Sequence, residues 1–303
     1  MKHASIPDMK LITYITKKGY GLGAVVEDHI LDLNNALGSD LSMLGLLDLG
    51  EKGMEKVGEA VKKAEENLAS GKSMGLMKLN EVSLAAPIPR TRKNIVCMGL
   101  NYAEHVKEGG SDRPLPPHPV FFTKPPTSIT GPYDPVVYNR AVERLDYEVE
   151  LAFVIGKEGK YISKDEALDH VAGYMVFQDI SARTLQRQHN QWYRGKSQDT
   201  FAPMGPYLVT PEEVDDPQKL DLWCKVNGET RQKANTSDMI FDVKTIISTL
   251  SDGITLEVGD VFATGTPSGV GAAHPLGLLK VGDVIESGIE KLGVMRNEVV
   301  SEK

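Results

Sequence analysis

The chain has 303 residues, of which 41% are hydrophobic and 25% are charged, and its formal net charge at pH 7 is -8. This composition is ordinary for a globular protein with one large domain, or with a large domain and a small companion. The acidic balance argues against nucleic acids and membranes as partners, because the surfaces that bind them need clustered basic side chains.

The N-terminal segment lacks the apolar core of a signal peptide, and no apolar run approaches the roughly 20 residues that span a membrane. We therefore expect a cytoplasmic protein. The two cysteines, Cys97 and Cys224, both lie in apolar, strand-like runs. Since a disulfide scaffold would need more cysteines, we predict two buried, reduced thiols.

Residues 1–85 predict a small α+β domain at the N-terminus. Apolar and β-branched runs between turn residues predict three short strands, at residues 11–15, 23–26 and 30–33. Apolar side chains then recur at steps of four, three and four between Val57 and Leu68. This spacing indicates one face of an amphipathic helix, which Gly71 ends.

The Ala-Pro-Ile-Pro sequence at 86–89 predicts a linker, so we place a second domain at 90–303. Strand signals dominate this domain. Asn227-Gly228 is typical of a two-residue hairpin turn, and turn-then-strand patterns begin at Val258 and Val281. Helical patterns are fewer, at 165–170, after 179 and at 242–250. Because strands and helices do not alternate regularly, we predict a mixed, strand-rich α+β fold.

The segment 145–155, LDYEVELAFVI, has the apolar character of a strand buried on both faces, yet it contains Glu148 and Glu150. Side chains two residues apart in a strand point to the same face, where two buried carboxylates would repel each other. The face could be solvated, one acid could be protonated, or a cation could lie between them. This segment alone favours a half-exposed edge strand.

A second apolar run, VAGYMVFQDI at 171–180, ends in Asp179, and a helical stretch with Arg183 and Gln186 follows it. Three acids at strand ends could converge on one cation. Oxygen ligands favour Mg²⁺, Mn²⁺ or Ca²⁺ over Zn²⁺.

His105 and Glu108 are three residues apart in a segment that follows a predicted strand. One helical turn would place them on the same side, where the carboxylate would orient the imidazole and raise its basicity. Such a pair suits a general base, although a surface ion pair is the simpler alternative. The glycines and prolines of 109–119 are consistent with a mobile lid or an irregular loop, and the polar and aromatic stretch 188–194 with a pocket wall or a surface helix.

Five separated segments resemble the fumarylacetoacetate hydrolase family in order and spacing: GLNYAEHVKE, LDYEVELAFVIGK, QDISARTLQ, RGKSQDTFAPMGP and ATGTPSGVG. The similarity covers about residues 90–300, and more loosely the N-terminal unit. The resemblance implies a strand-rich mixed β-roll of the family's C-terminal type with flanking helices, beside the small α+β domain. It also implies a homodimer.

The resemblance further implies one Mg²⁺ or Mn²⁺ per chain, bound by Glu148, Glu150 and Asp179. It implies that His105 and Glu108 form a catalytic dyad. In the mechanism that we consider for these parts, Lys196 is also catalytic, because it could stabilise a developing oxyanion. The remaining implied positions contact substrate: Arg183, Gln186, Lys196 and Thr266. Each of these four has an alternative as a structural ion pair, an exposed side chain or a turn residue.

The function that these parts suggest is metal-dependent hydrolysis of a C–C bond in a 2,4-dioxo acid of the acylpyruvate type. The products would be pyruvate or a related 2-oxo acid and a second acid. The same site could instead decarboxylate oxaloacetate, or isomerise or hydrate a 2-oxo acid. A third possibility is a scaffold protein without enzymatic activity, which the presence of every motif residue disfavours.

Overall fold

The computed structural model describes residues 8–73 and 75–303. Strands β1 to β18 are, in chain order, Lys10–Thr16, Gly19–Val26, His29–Asp32, Leu76–Lys78, Ile95–Gly99, Val120–Lys124, Ile129–Thr130, Val136–Tyr138, Leu145–Asp146, Val149–Ile155, Val171–Gln178, Ser181–Ala182, Ala202–Val209, Asp221–Val226, Glu229–Asn235, Val261–Ala263, Val284–Ile289 and Gly293–Ser301. Helices α1 to α8 are Leu33–Leu37, Met43–Asp48, Gly50–Ala69, Ala103–Glu108, Arg183–Gln188, Tyr193–Lys196, Pro211–Val214 and Val243–Ser251. Short 3-10 helices lie at Leu79–Glu81, Pro126–Ser128, Ala167–His170 and Thr236–Asp238.

The N-terminal strands and the long helix are close to their predicted positions. Strands β1 and β2 form an antiparallel hairpin, and β3 ends at Asp32, whose side chain accepts a hydrogen bond from Asn35 N and so caps α1. Helix α3 buries the predicted face, including Val57 and Val61, and Gly71 follows its end at a φ of 74°. The helix is longer than predicted. It begins at Gly50, whereas the predicted apolar face begins at Val57.

One large sheet joins the N-terminal strands to the rest of the chain. Its order is β4-β3-β2-β1-β13-β11-β10-β16-β5-β6, and β7 pairs with β13 beside this path. The junction is antiparallel, with Leu11 opposite Leu208. The predicted linker is not an exposed tether, since Ala86 and Ile88 are buried and Thr13 Oγ1 donates to Pro87 O at 2.7 Å. The predicted boundary between two domains near residues 85–90 stays a prediction.

A second sheet, in the order β15-β14-β17-β18-β8, packs against the first. The predicted hairpin turn is confirmed: Asn227 and Gly228 join β14 to β15 at φ values of 53° and 81°. The predicted strands after Val258 and Val281 are confirmed as β16 and β17. The strand-rich α+β fold class is therefore confirmed.

Strand β10 is buried on both faces, as its apolar sequence predicts. Leu151 and Phe153 pack into the core between the two sheets, whereas Ala152 and Val154 belong to the core under the N-terminal helices. Its neighbours are β11 on one side and β16 on the other. The strand is thus central to the sheet and carries its acidic end into the interior.

The predicted helices of the second domain differ in how far they form. Helix α8 begins after Asp242, whose carboxylate accepts from Thr245 N at 2.7 Å, close to the predicted 242–250. The predicted helix at 165–170 is reduced to a 3-10 turn at Ala167–His170. Both cysteines are buried and free, as predicted. Among the described residues no helix is long and apolar enough to cross a membrane.

Candidate active site and metal centre

Glu148 and Glu150 lie where the 145–155 segment enters the sheet interior. The segment forms β9, breaks at 147–148 and continues as β10, so that Glu148 is 4% exposed and Glu150 1% exposed. The expectation of a half-exposed edge strand is wrong, because β10 has hydrogen-bonded neighbours on both sides. Two buried carboxylates so close together need compensating positive charge.

Asp179 reaches the two glutamates through the pairing of β10 with β11. Val149 lies opposite Gln178 in that pair, and Asp179 N donates to Glu148 O at 2.9 Å. One ligand atom from each of the three carboxylates lies within 4.8 Å of the others, and all three residues are buried. This all-oxygen set fits a hard divalent cation such as Mg²⁺ or Mn²⁺.

The electrostatics of the triad also favour a bound cation. Burial, together with the nearby charges of Asp179 and Glu148, raises the pKa of Glu150 well above its ordinary value. Burial also opposes ionisation of Glu148, but the charges of Lys196 and Arg183 outweigh it and lower the pKa of that carboxyl. A divalent ion would relieve the repulsion that falls on Glu150.

Two buried lysines contact the triad. Lys196 Nζ donates to Glu148 Oε2 at 2.7 Å and to Asp179 Oδ2 at 2.6 Å. Lys124 Nζ donates to Asp179 Oδ1 at 2.5 Å and to Ile180 O at 3.1 Å. Lys196 was predicted, but Lys124 was missed. The available signal was a lysine at the end of an apolar strand, β6, directly before two prolines.

Arg183 forms ion pairs with two carboxylates. Its Nε donates to Asp146 Oδ2 at 2.7 Å, its Nη2 to Glu148 Oε1 at 2.5 Å, and its Nη1 to Gln186 Oε1 at 3.0 Å. Asp146 also accepts from the backbone N–H groups of Gly271 and Ala272. Asp146 is therefore the structural acid that was considered as an alternative partner for Arg183. The same guanidinium also donates to Glu148.

His105 and Glu108 form the contact that their spacing predicts. They lie on α4, where His105 Nδ1 is 2.8 Å from Glu108 Oε2, and Glu108 Oε1 accepts from Gly269 N at 2.6 Å. A carboxylate only accepts, so Nδ1 carries the proton in this contact and Nε2 of the neutral ring is free to accept another. The pair is part-buried and lines a cavity, which sets it apart from an ion pair on the open surface.

Thr266 and Gln186 lie at the site, and each has a side-chain oxygen that is bonded to a neighbouring residue. Thr266 Oγ1 donates to Val149 O at 2.9 Å and accepts from Gln232 Nε2 at 2.8 Å. Gln186 is half-buried beside Arg183. The Thr266 hydroxyl thus links the turn at 265–267 to Val149 and Gln232. This is the structural role that was its alternative.

A cavity of about 410 Å³ brings the predicted residues together. Eight of the nine predicted side chains line it: His105, Glu108, Glu148, Glu150, Arg183, Gln186, Lys196 and Thr266. The ninth, Asp179, is completely buried against Lys124 and Lys196.

The rest of the cavity wall includes residues of the 188–194 stretch and of the 109–119 segment, for both of which the sequence left two alternatives open. Trp192, from the 188–194 stretch, packs edge-on against Phe122 with ring centroids 5.4 Å apart. A Cβ on Gly99 would lie 2.3 Å from Trp192 Cζ3, so the ring rests directly on the backbone at that glycine. Two exposed arginines, Arg113 and Arg187, complete the cationic part of the wall.

Comparison with known proteins gives consistent results. Residues 94–300 match the family model described as fumarylacetoacetate (FAA) hydrolase C-terminal. The chain is 44% identical over 275 residues to oxaloacetate tautomerase YisK of Bacillus subtilis, covering 90% of each chain. Among solved structures, the fumarylacetoacetate hydrolase of Exiguobacterium antarcticum is 36% identical, with a TM-score of 0.78 and coverage of 97% of this chain and 100% of that one.

A third similar protein was solved with bound ligands. It is the maleylpyruvate hydrolase from Sphingobium sp. SYK-6 in complex with manganese(II) and pyruvate, which is 32% identical, with a TM-score of 0.76. The similarity covers 97% of this chain and all of that one.

Proposed function

Because the chain belongs to the fumarylacetoacetate hydrolase family, we propose that it is a divalent-metal-dependent enzyme that interconverts the keto and enol forms of oxaloacetate. The observation that carries this proposal is a buried carboxylate triad and a His–Glu pair that line or adjoin one cavity. The similarity to an oxaloacetate tautomerase over 90% of both chains supports the choice of reaction.

Glu148, Glu150 and Asp179 would hold one Mg²⁺ or Mn²⁺ per chain. When bound, the ion would polarise the 2-oxo group and stabilise the negative charge that develops on its oxygen. The manganese and pyruvate in the maleylpyruvate hydrolase structure support both the metal and the type of ligand.

His105 would move the proton. Glu108 fixes the ring through Nδ1 and is itself fixed by Gly269 N, so Nε2 can take a proton from C3 of the keto form and return it in the reverse direction. Delivery of this proton from Nε2 to the 2-oxo oxygen, directly or through water, would complete the enol and return the ring to its neutral form. Lys196 would attract the substrate's 2-oxo carboxylate, and Arg183 would hold Glu148 in place.

A second candidate is hydrolysis of a C–C bond in a 2,4-dioxo acid, the reaction that the sequence first suggested. The His105–Glu108 pair favours it, because the same Nε2 could take a proton from an attacking water. The similar maleylpyruvate hydrolase also favours it. Decarboxylation of oxaloacetate would use the triad without an attacking water and would depend less on His105.

The first test is spectroscopic. Enol oxaloacetate is added to protein loaded with Mg²⁺ or Mn²⁺, to protein treated with chelator, and to Glu148→Ala, while the decay of the enol is recorded. Metal-dependent acceleration that the substitution abolishes is the expected result. A parallel assay of pyruvate release from acetylpyruvate and oxaloacetate separates the three reactions. If the rates equal those of the free metal ion in every assay, the proposal is wrong.

We also propose a homodimer, as the family resemblance implies. Light scattering on the purified protein would then give about twice the chain mass of 33.1 kDa. A mass equal to that of one chain would contradict the proposal.

A further inference from the structure

Asp146 lies between the two working parts of the site and is linked to both. Its carboxylate is completely buried and accepts four hydrogen bonds from the described residues. We propose that Asp146 is a positioning residue, which holds the metal-binding triad and the His105–Glu108 pair at a fixed relative position. This inference rests on the proposed function, because it assumes that both parts act on one substrate.

The first branch of contacts leads from Asp146 to the triad. Asp146 Oδ2 accepts from Arg183 Nε at 2.7 Å, and the same guanidinium donates from Nη2 to Glu148 Oε1 at 2.5 Å. Because the guanidinium is planar and rigid, the position of Asp146 helps to set the position of Glu148. Asp146 also offsets part of the positive charge of Arg183, which would otherwise act on Glu148 alone and oppose a cation there.

The second branch leads to the proton-transfer pair through one loop. Asp146 Oδ1 accepts from Gly271 N at 2.6 Å, and Oδ2 accepts from Ala272 N at 3.0 Å. At the start of the same loop, Gly269 N donates to Glu108 Oε1 at 2.6 Å. Since Glu108 orients the imidazole of the pair, a displacement of the loop away from Asp146 would also disturb the ring.

The loop at 269–272 approaches Asp146 closely because a glycine faces the carboxylate. A Cβ on Gly271 would lie 2.6 Å from Asp146 Oδ1, so any larger residue would force the loop and the carboxylate apart. The start of the loop is also held, since Tyr147 Oη donates to Gly269 O at 2.9 Å. Backbone N–H groups make the contact with Asp146, and they are more rigid than side chains, which suits a positioning role.

The role requires a carboxylate, because every partner of Asp146 is a donor. Oδ1 faces the backbone N–H groups of Tyr147 and Gly271. Oδ2 faces Arg183 Nε and the backbone N–H of Ala272. An asparagine has a single acceptor oxygen, so its NH₂ group would face one of these two pairs. In either orientation one N–H group of the loop loses its acceptor, and the guanidinium loses a negative partner.

The test compares two substitutions that act on different branches. Asp146→Asn disturbs both branches, whereas Gly271→Ala pushes the loop away and leaves the contact with Arg183 in place. The matched control is Asn297→Asp, the reverse exchange at a completely buried side chain outside the cavity lining. The Asn297 amide donates to two backbone carbonyl groups, so the control also breaks buried hydrogen bonds.

Three quantities are measured for each variant. Calorimetry gives the Mn²⁺ affinity, and the decay of enol oxaloacetate at saturating Mn²⁺ gives the rate. Long-range ¹H–¹⁵N correlation on the metal-free protein, at a pH at which the ring is neutral, gives the tautomer of His105, whose signal is identified by its loss in His105→Asn. The free energy of unfolding is recorded as well, so that lost stability can be separated from lost geometry.

We expect Asp146→Asn to weaken Mn²⁺ binding about tenfold and to slow enol decay about tenfold or more, as loss of an outer partner of a metal ligand commonly does. It should also shift the His105 ring from the Nδ1–H tautomer toward the Nε2–H tautomer, because the bond at Nδ1 sets the tautomer. Gly271→Ala should change the tautomer and the rate in the same direction and leave Mn²⁺ affinity unchanged. Asn297→Asp should lower only the free energy of unfolding.

The inference is overturned if Asp146→Asn behaves like the control and loses stability alone, or if it changes nothing. Equal weakening of Mn²⁺ binding in Gly271→Ala and Asp146→Asn would also overturn it, because the two branches would not be separate. If Asp146→Asn does not fold, unchanged tautomer and rate in Gly271→Ala refute the inference. Failure of the proposed function looks different: the unsubstituted, Mn²⁺-loaded protein would not accelerate enol decay, while Mn²⁺ affinity and the ring tautomer would still test Asp146.

Discussion

The two ends of the cavity differ in how their charges are balanced. At the buried end, Lys124, Lys196 and Arg183 each contact one or two carboxylates at distances of 2.5 to 2.7 Å. At the open end, Arg113 and Arg187 have no such contact among the described residues. The buried end is therefore fixed by the chain itself, whereas the open end has charge left for a ligand.

The difference indicates a division of tasks. Groups locked by mutual hydrogen bonds can hold an ion and a reacting atom in constant geometry, as catalysis requires. Exposed cations can change without disturbing the core, so they suit selection among substrates. If this is correct, substitutions at the buried end should alter turnover or folding, and substitutions at the open end should alter substrate preference.

The largest effect is expected at Glu150. Glu150→Gln removes one charged ligand from the triad while preserving side-chain size, so turnover should fall by about 10³ or more, because metal-assisted charge stabilisation contributes several kcal/mol. Mn²⁺ binding and turnover are measured together, with Glu143→Gln, an exposed glutamate, as control. Unchanged Mn²⁺ affinity in Glu150→Gln would remove this residue from the metal site.

The next largest effect is expected at His105. His105→Asn removes the free ring nitrogen, so proton transfer should slow by about 10² to 10⁴ while Mn²⁺ affinity stays the same. Exposed His118, outside the cavity lining, provides the matched control as His118→Asn. Tautomerase turnover in His105→Asn that equals that of the unsubstituted enzyme would refute the role of the pair.

Lys124→Met should affect folding more than substrate choice. The substitution leaves Asp179 without one of its two buried cationic partners, which is expected to lower the free energy of unfolding of the metal-free protein by about 3–5 kcal/mol. Denaturant titration in chelator measures this. The matched control is Lys107→Met, which breaks an exposed pair with Glu104 and should cost about 0.5 kcal/mol. Equal losses in the free energy of unfolding of Lys124→Met and Lys107→Met would contradict the expected difference between a buried and an exposed ion pair.

The smallest effect is a pH dependence of stability. The raised pKa of Glu150 means that, from about its ordinary value of 4.5 upward, folded metal-free protein retains a proton that the unfolded chain releases. Stability should then decrease as pH rises through this range, until the folded carboxyl also ionises. Melting temperatures in chelator would show this slope, and Glu150→Gln should flatten it. An identical slope in the variant would assign the effect to another group.

Much of the site follows from short-range spacing. Glu148 and Glu150 are two residues apart and His105 and Glu108 are three apart, so strand and helix periodicity place each pair without reference to the rest of the chain. The Asn227-Gly228 turn was predictable for the same reason, because both residues tolerate the positive φ that the hairpin requires.

Contacts between distant segments could not be predicted in this way. Lys124 and Asp179 are 55 residues apart, and Arg183 and Asp146 are 37 apart. Whether a lysine at a strand end meets an acid or solvent depends on which strands become neighbours. The two carboxylates Glu148 and Glu150 favoured an edge strand when their segment was taken alone, and this was wrong for the same reason, since both partners of β10 come from later segments of the chain.

The sequence by itself determined the family, the strand-rich fold class and the residues that form the candidate metal and proton-transfer groups, because motif order and local periodicity encode them. The tertiary structure decided which carboxylates share a cation, which lysines neutralise them and which arginines remain unpaired at the cavity. Charge balance at a buried site is a sum over all neighbouring segments, and only strand pairing and packing determine which segments those are.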